Sequence, residues 1–324
     1  MSTSPSGSTL GKATAVMKSL NFYLSDHPAI VSFRWSHALC WGSTWSFLFS
    51  SIALYVVFSI FLHLALALLL RRGRPVPLGP IPALHSLSMS VISATIFAGL
   101  LVSAAAEIKE TRWLWRRSKT PLQWLLCFPL GTRPSGRVFF WSYVFYLSRF
   151  LHMLRTVLVV LRRRKLVFFQ LFYHAISAFM SFLWLEFSQS FQVLAILFTT
   201  LAFSVMYGYL FWTSVAARGA CLPLVLNCQI ALLGCNLVCH VAVLLLHFLT
   251  GGCNGIGAWV FNSVLNGAIL LLFLNFYVRM YLARRMKHKG VVIDHLCENH
   301  NIGRSCSSVL GAGKEADSNK VKSN

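Results

Sequence analysis

The stretch that decides the fold begins at Trp45 and, through Arg74, reads WSFLFSSIALYVVFSIFLHLALALLLRRGR. Its first 26 residues contain no Asp, Glu, Lys or Arg, and three arginines follow them. A helix that crosses a bilayer needs about 20 such apolar residues. Basic residues directly after a span favour the cytosolic side of the membrane. The stretch therefore predicts a membrane helix whose C-terminal end faces the cytosol.

The composition extends this prediction to the whole chain. Of the 324 residues, 56% are hydrophobic and 11% are charged, whereas soluble domains carry about 25% charged residues. So few charges cannot cover a water-exposed globule, which excludes an ordinary soluble enzyme and a disordered chain. Short runs of Lys and Arg lie at the ends of apolar blocks, at 71–74, 162–165 and 284–289, and this placement does not favour nucleic-acid binding. We therefore predict an all-α polytopic membrane protein that binds no nucleic acid.

Seven apolar segments are long enough to cross a bilayer. They cover residues 45–70, 84–106, 138–160, 166–186, 190–213, 222–249 and 258–278. If the first span ends inside, the N-terminal segment (1–40) is non-cytosolic, the membrane domain covers 41–285, and the polar tail (286–324) is disordered and cytosolic. The basic loop 107–137 then falls on the non-cytosolic side. Either this loop dips into the bilayer surface, or the span count is wrong by one.

The last five residues suggest a location for the protein. Lys322 and Lys320 are third and fifth from the C-terminus, a dibasic pattern that resembles a retrieval signal for the endoplasmic reticulum. The alternative is a solvated charged tail. Residues 1–20 lack a continuous apolar core, so the first span is expected to act as an uncleaved signal. The sequence thus predicts a multi-pass protein of the endoplasmic reticulum membrane. The nine cysteines show no zinc-type spacing, and no metal is expected.

Polar side chains inside the predicted spans are costly in hydrocarbon and therefore informative. Those of the third span include Arg149, His152, Arg155 and Thr156. Helical spacing places Arg149, His152 and Thr156 on one face of the helix, with Arg155 beside them. Glu186, at the end of the fourth span, is the one carboxylate in any predicted span, so it cannot neutralise both arginines. Water, backbone carbonyls or an anionic ligand must contribute.

The neighbouring spans carry further polar residues at helical spacing. They are Gln170, Tyr173 and His174 in the fourth span, Tyr207 in the fifth, and Gln229, Asn236 and His240 in the sixth. Such residues either form hydrogen bonds between helices, each of which stabilises the packing by about 0.6 kcal/mol, or line an enclosed polar cavity for a ligand. Stripes on successive spans favour the cavity. In the alternative interpretation, the arginines only organise backbone carbonyls between helices.

Several short motifs carry a family resemblance. They are Phe139-Phe-Trp141 and Phe145-Tyr-Leu-Ser-Arg-Phe-Leu151 in the third span, Met206-Tyr207-Gly208-Tyr209 in the fifth, Cys127-Phe128-Pro129 in a loop, and Gly252-Cys253 with Asn275-Phe276 near the last span. On these motifs, residues 30 to 285 resemble the ELO family of very-long-chain fatty acid elongases, most clearly its plant branch. The resemblance implies seven helices, six of which enclose an acyl tunnel.

The resemblance also implies an activity. ELO enzymes condense a fatty acyl-CoA with malonyl-CoA to 3-oxoacyl-CoA, releasing carbon dioxide and CoA. The implied substrates are therefore acyl-CoA and malonyl-CoA, with no bound cofactor. The implied partners, besides the lipid bilayer, are the reductases and the dehydratase of an elongase complex.

The family's catalytic motifs are altered in this chain. Its His-x-x-His-His positions hold Gln170, Tyr173 and His174, and its Lys-x-x-Glu-x-x-Asp-Thr positions hold Arg149, His152, Arg155 and Thr156. In the family's Asn-x-x-x-His motif, Thr199 stands in place of the asparagine and Phe203 in place of the histidine. In its Gln-x-x-Gln motif, Gln229 is retained and Leu232 replaces the second glutamine. A tyrosine hydroxyl is a poor acyl acceptor unless strongly activated, which argues against the family's covalent route. His174 remains as a base that Gln170 can orient.

Two functions stay open at this point. In the first, the chain is a divergent 3-oxoacyl-CoA synthase with catalytic positions Gln170, Tyr173 and His174. Its substrate-binding residues are then Arg149, His152, Arg155, Thr156, Tyr207, Gln229, Asn236 and His240, and the arginines favour an anion such as the malonyl carboxylate or a thioester enolate. In the second, the chain is a degenerate relative that binds acyl-CoA or lipid, or regulates an elongase complex. A seven-helix receptor has no support from the motifs.

Overall fold

The computed structural model describes residues 15–69, 77–110, 120–162, 168–216 and 222–272, with positions 274, 275, 278 and 282. Within these residues the chain is helical, and its only β-pairing is an isolated bridge. The main helices are α1 (Trp45–Leu69), α2 (Ile81–Lys109), α3 (Arg137–Leu161), α4 (Phe168–Glu186), α5 (Gln192–Ala216), α6 (Leu222–Thr250) and α7 (Ile256–Leu272). The all-α prediction is confirmed for this part of the chain.

Five of the described helices, namely α1, α2, α3, α5 and α6, are long and apolar enough to cross a membrane. This confirms several membrane spans, while the count of seven stays a prediction. The fourth predicted span corresponds to α4, which has 19 residues, and the seventh to α7. The basic run 71–74 and the tail 286–324 lie outside the described residues.

Contacts along the chain define two compact units, Met1–Leu265 and Asn266–Asn324. In the first unit, α2 packs most extensively against α5, and α3 packs against α2 and α4. The arrangement of contacts makes α3 a central helix of this unit. Its face bearing Arg149, His152 and Thr156 is buried, as expected for a helix surrounded by α1, α2, α4 and α5.

The N-terminal segment packs against the start of α3. The backbone amide of Gly136 donates to the carbonyl of Phe33 at 2.8 Å, and that of Trp35 donates to the carbonyl of Pro134 at 2.9 Å. Nearby, the guanidinium of Arg137 forms ion pairs with Glu110 and Asp26 at 2.7 and 3.2 Å. One of the basic residues that the predicted topology places on the non-cytosolic side is therefore buried and neutralised.

A disulfide fixes two loops at the same end of the helices. Cys127, at the end of the short helix Pro121–Leu126, is bonded to Cys253, which follows α6. The backbone between these loops is also joined, because the amide of Asn254 donates to the carbonyl of Phe128 at 2.7 Å. Disulfides persist in oxidising compartments such as the lumen of the endoplasmic reticulum. The bond therefore favours a non-cytosolic position for both loops, which is where the predicted seven-span topology puts them.

The contact between α2 and α3 depends on a glycine. A Cβ atom at Gly99 would collide with the indole ring of Trp141. That ring is 6% exposed and its Nε1 donates to the carbonyl of Leu24 at 2.9 Å, so it has little room to move. We expect Gly99→Ala to lower the free energy of unfolding by about 1–3 kcal/mol through overpacking, measured as a lower midpoint of thermal unfolding in detergent.

The matched control for this prediction is Gly234→Ala in α6. A Cβ atom at Gly234 would meet nothing within 4 Å, so the change should leave stability unchanged or raise it by up to about 1 kcal/mol. Equal unfolding midpoints for the two variants would contradict the proposed role of Gly99.

Candidate functional site

Polar and cationic side chains of α2, α4 and α5 meet those of α3. The group comprises Arg149, His152 and Arg155 of α3, His174 of α4, Tyr207 of α5 and His85 of α2, and is called here the basic cluster. These residues are far apart in the sequence but joined by ring and hydrogen-bond contacts. Two of the sequence-derived candidates, His174 and Arg149, thus lie in the same buried region.

His152 lies at the centre of the basic cluster. It is 2% exposed, and its Nδ1 atom is 2.8 Å from the hydroxyl of Tyr207. Its ring is stacked on that of His174, with centroids 6.3 Å apart, and lies 4.7 Å from the ring of Phe203. Its Nε2 atom has no hydrogen-bond partner in the described part of the chain. A buried polar atom without a partner is uncommon in folded proteins and marks a place where a ligand or water can bind.

The guanidinium of Arg149 lies between aromatic rings. Its Cζ atom is 4.0 Å from the centroid of Phe145 and 4.9 Å from that of Phe203, distances at which a cation is attracted by the ring face. Nη2 donates to the hydroxyl of Ser148 at 3.0 Å, and Nε has no partner among the described residues. The whole residue is 3% exposed.

No acid among the described residues neutralises either arginine of the basic cluster. Within the described ranges, no Asp or Glu forms an ion pair with Arg149 or Arg155. The guanidinium of Arg155 lies over the ring of Tyr207, with Cζ 5.2 Å from the centroid. A buried charge without a counter-ion costs free energy. The cluster is therefore suited chemically to an anion or to an oxygen atom that gains negative charge.

His85 belongs to the basic cluster although the sequence did not single it out. Its ring is 6.2 Å from that of Tyr207, and its Nε2 is 3.3 Å from the carbonyl oxygen of Leu151, so Nε2 is placed to donate a proton to that oxygen. The signal for it was weak, because a single histidine four residues after the start of a helix is common. Its position becomes informative only once α2 is known to pack against α3.

The other α3 and α4 candidates have more local roles in the structure. The hydroxyl of Thr156 is 2.8 Å from that of Tyr55, which joins α3 to α1. Tyr173 makes an edge contact with the ring of His174 at 5.5 Å. Gln170 is partly buried, and the described residues include no hydrogen bond between it and His174. The predicted orientation of His174 by Gln170 is thus not seen in this structure.

The α6 candidates lie elsewhere. His240 contacts Phe191 and Trp259, with ring centroids 4.7 and 5.6 Å away, and its Nδ1 is 2.8 Å from the hydroxyl of Ser263. Sixteen residues separate Phe191 from Tyr207, about 24 Å of helix at 1.5 Å per residue. His240 is therefore remote from the basic cluster. Asn236 is partly buried in α6, and the side chain of Gln229 lies outside the described residues.

Comparison with known proteins agrees with the motifs. The sequence pattern of the ELO family, described as the GNS1/SUR4 family, matches residues 40–289. The chain is 66% identical over 272 residues to a protein of Arabidopsis thaliana named fatty acid elongase 3-like, covering 83% of this chain and 94% of that protein. It is 25% identical over 258 residues to a putative fatty acid elongase of Dictyostelium discoideum, covering 78% and 81% of the two chains.

A more distant relative is long chain fatty acid elongase 1 of Caenorhabditis elegans, 25% identical over 161 residues, which cover 48% of this chain and 55% of that protein. No solved structure matches the chain. The resemblance drawn from the motifs is confirmed by the family match over residues 40–289 and by the Arabidopsis relative, which covers 83% of this chain.

Proposed function

Because the chain belongs to the GNS1/SUR4 (ELO) family, we propose that it condenses a long-chain acyl-CoA with malonyl-CoA to form 3-oxoacyl-CoA. The observation that carries this proposal is the meeting of the buried residues His174, His152 and Arg149 in one cluster, for which the described part of the chain offers no carboxylate partner. Family membership supports fatty acid elongation in general. The basic cluster supports the condensation step, because that step develops negative charge on a thioester oxygen.

Each group of the basic cluster has a task in this reaction. Arg149 and Arg155 attract the carboxylate of malonyl-CoA and stabilise the enolate that remains when carbon dioxide leaves. His174 is the histidine retained from the family's His-x-x-His-His positions, and it serves as the acid–base group that passes a proton to the departing CoA thiolate. Tyr173 lies against His174 and shapes the pocket, while acyl transfer proceeds without a histidine at its position.

The proposed membrane arrangement is that of the family, with seven spans and an acyl tunnel within six of them. At 19 residues, α4 is about 28 Å long, close to the hydrocarbon thickness of a bilayer, about 30 Å. His85 is four residues from the start of α2 and Arg155 six residues from the end of α3. Both ends lie opposite the disulfide-linked loops along their helices. We place the basic cluster in the cytosolic half of a membrane of the endoplasmic reticulum, within reach of CoA.

The experiment is a condensation assay with purified protein in liposomes. Labelled malonyl-CoA and a long acyl-CoA should yield labelled 3-oxoacyl-CoA, and His174→Ala should lower the rate about a hundredfold, a contribution typical of an acid–base residue. The control is His63→Ala, which removes a histidine of α1 from outside the basic cluster and should leave the rate unchanged.

The alternative function is acyl-CoA or lipid binding without turnover. It is favoured by one observation, namely that Phe203, which replaces a histidine of the family, fills the space beside Arg149 and His152. Measurable acyl-CoA binding without labelled product would establish this alternative. A protein that binds no acyl-CoA would contradict both functions.

A further inference from the structure

The hydrogen bond between His152 and Tyr207 determines where the imidazole proton lies. The two atoms, Nδ1 and the phenolic oxygen, are 2.8 Å apart. Within the described ranges, neither side chain has another hydrogen-bond partner, and Nε2 of His152 has none. The question is therefore which of the two groups donates.

We take the ring of His152 as neutral. An imidazolium at 2% exposure would add a positive charge beside the buried Arg149 and the partly buried Arg155, again without a carboxylate in the described part of the chain. Burying a charge without a partner is far more costly than burying a neutral imidazole. A neutral imidazole carries its proton on one nitrogen only.

Two arrangements of the proton are then available. If Nδ1–H donates to the phenolic oxygen, the hydroxyl proton of Tyr207 and the lone pair of Nε2 are both left without partners. If the hydroxyl of Tyr207 donates to Nδ1, the sole unsatisfied group of His152 is Nε2–H. Unsatisfied buried groups each cost free energy, so the second arrangement is favoured. His152 therefore presents Nε2–H as a donor.

This donor lies beside a second one. The ring of His152 and the guanidinium of Arg149 both contact Phe203, at 4.7 and 4.9 Å. The Nε atom of Arg149 is also buried and has no partner among the described residues. Two neighbouring buried donors that have no acceptor in the described part of the chain are suited to bind one oxygen atom that carries negative charge.

The geometry points to a defined role for this pair, which rests on the proposed condensation. His152 Nε2–H and Arg149 Nε–H bind the thioester oxygen of malonyl-CoA, and Tyr207 is a positioning residue that holds His152 in the donating tautomer. When the bond between C2 and the carboxylate breaks, carbon dioxide leaves and the electron pair stays behind as an enolate. Its charged oxygen receives both hydrogen bonds. C2 then attacks the acyl thioester, and the CoA thiolate leaves and takes a proton that His174 relays from water.

The test is Tyr207→Phe, compared with wild type by two measurements. Nitrogen NMR of protein labelled at histidine should show His152 protonated at Nε2 in the wild type and a mixture of tautomers in the variant. The kcat of condensation should fall about tenfold while the KM for malonyl-CoA changes little, because a transition-state interaction is weakened. Tyr143→Phe is the control, since that hydroxyl donates to the carbonyl of Trp41 outside the basic cluster and its loss should not change kcat.

A second variant tests the coupling between the two residues. His152→Gln keeps an N–H donor at a similar distance but has no ring tautomer for Tyr207 to select. Tyr207→Phe should therefore cost nothing further in the His152→Gln background. If the wild type turns over and shows His152 protonated at Nδ1, or if the two substitutions act independently, the inference is overturned and the proposed condensation stands. A wild type that makes no product overturns the proposed function and the catalytic role together.

Discussion

Replacing both disulfide cysteines, Cys127→Ala with Cys253→Ala, is expected to cause a large loss of stability. The bond closes a loop with a sequence separation of 126 residues, and constraining so long a loop in the unfolded chain corresponds to about 5 kcal/mol. The two cysteines are almost fully buried, so the substitution also removes packing. The midpoint of thermal unfolding in detergent, followed by tryptophan fluorescence, should fall sharply.

The control for this prediction is Cys235→Ala, which removes an exposed free cysteine of α6 and should leave the midpoint unchanged. Treatment of the wild type with a reductant should reproduce the effect of the double substitution. Equal midpoints for the double variant and the wild type would show that the bond does not constrain the unfolded chain.

The positions of the helices could be predicted from the sequence because hydropathy is a local property. The first span was predicted at 45–70, and α1 covers 45–69. The third was predicted at 138–160, and α3 covers 137–161. The second span was predicted to begin at 84, whereas α2 begins at Ile81. Pro82 falls in its first turn, where a proline is tolerated because the first amides of a helix need no intrahelical acceptor.

The partners in the candidate site could not be predicted in the same way. Helical spacing correctly placed Arg149, His152 and Thr156 on one buried face, but it gives no information about what that face meets. The contacts of Tyr55 with Thr156 and of His85 with Tyr207 join residues more than 100 positions apart. The spacing of residues within one helix also does not show at which level along the neighbouring helices those residues lie. For that reason His240 was grouped with residues from which the structure separates it.

Residue chemistry explains why the altered motifs do not remove the site. The sequence showed that carboxylates of the family are replaced by His152 and Arg155, and it left open how the positive charges are held. The structure answers this with aromatic rings, since Phe145, Phe203 and Tyr207 each face a guanidinium. Such contacts stabilise a cation without neutralising it. The charge therefore remains available to an incoming anion.

Arg149→Met is expected to separate stability from activity. The guanidinium of Arg149 is buried with no carboxylate partner in the described part of the chain, so removing the charge removes a desolvation cost. Methionine has a similar length, and its sulfur packs well between the rings of Phe145 and Phe203. We expect the free energy of unfolding to rise by about 1 kcal/mol, seen as a higher thermal midpoint. The rate of condensation should fall about a thousandfold, because a donor to the developing oxyanion is lost.

Two matched variants make this prediction specific. Arg162→Met removes an exposed arginine at the end of α3 and should change neither stability nor the rate measured at saturating substrate. Arg149→Lys keeps the charge but loses the planar guanidinium that faces both rings, so it should recover only part of the activity and none of the gain in stability. If Arg149→Met instead lowers the midpoint and retains the wild-type rate, Arg149 is a structural residue that joins helices. The anion would then have to be bound elsewhere.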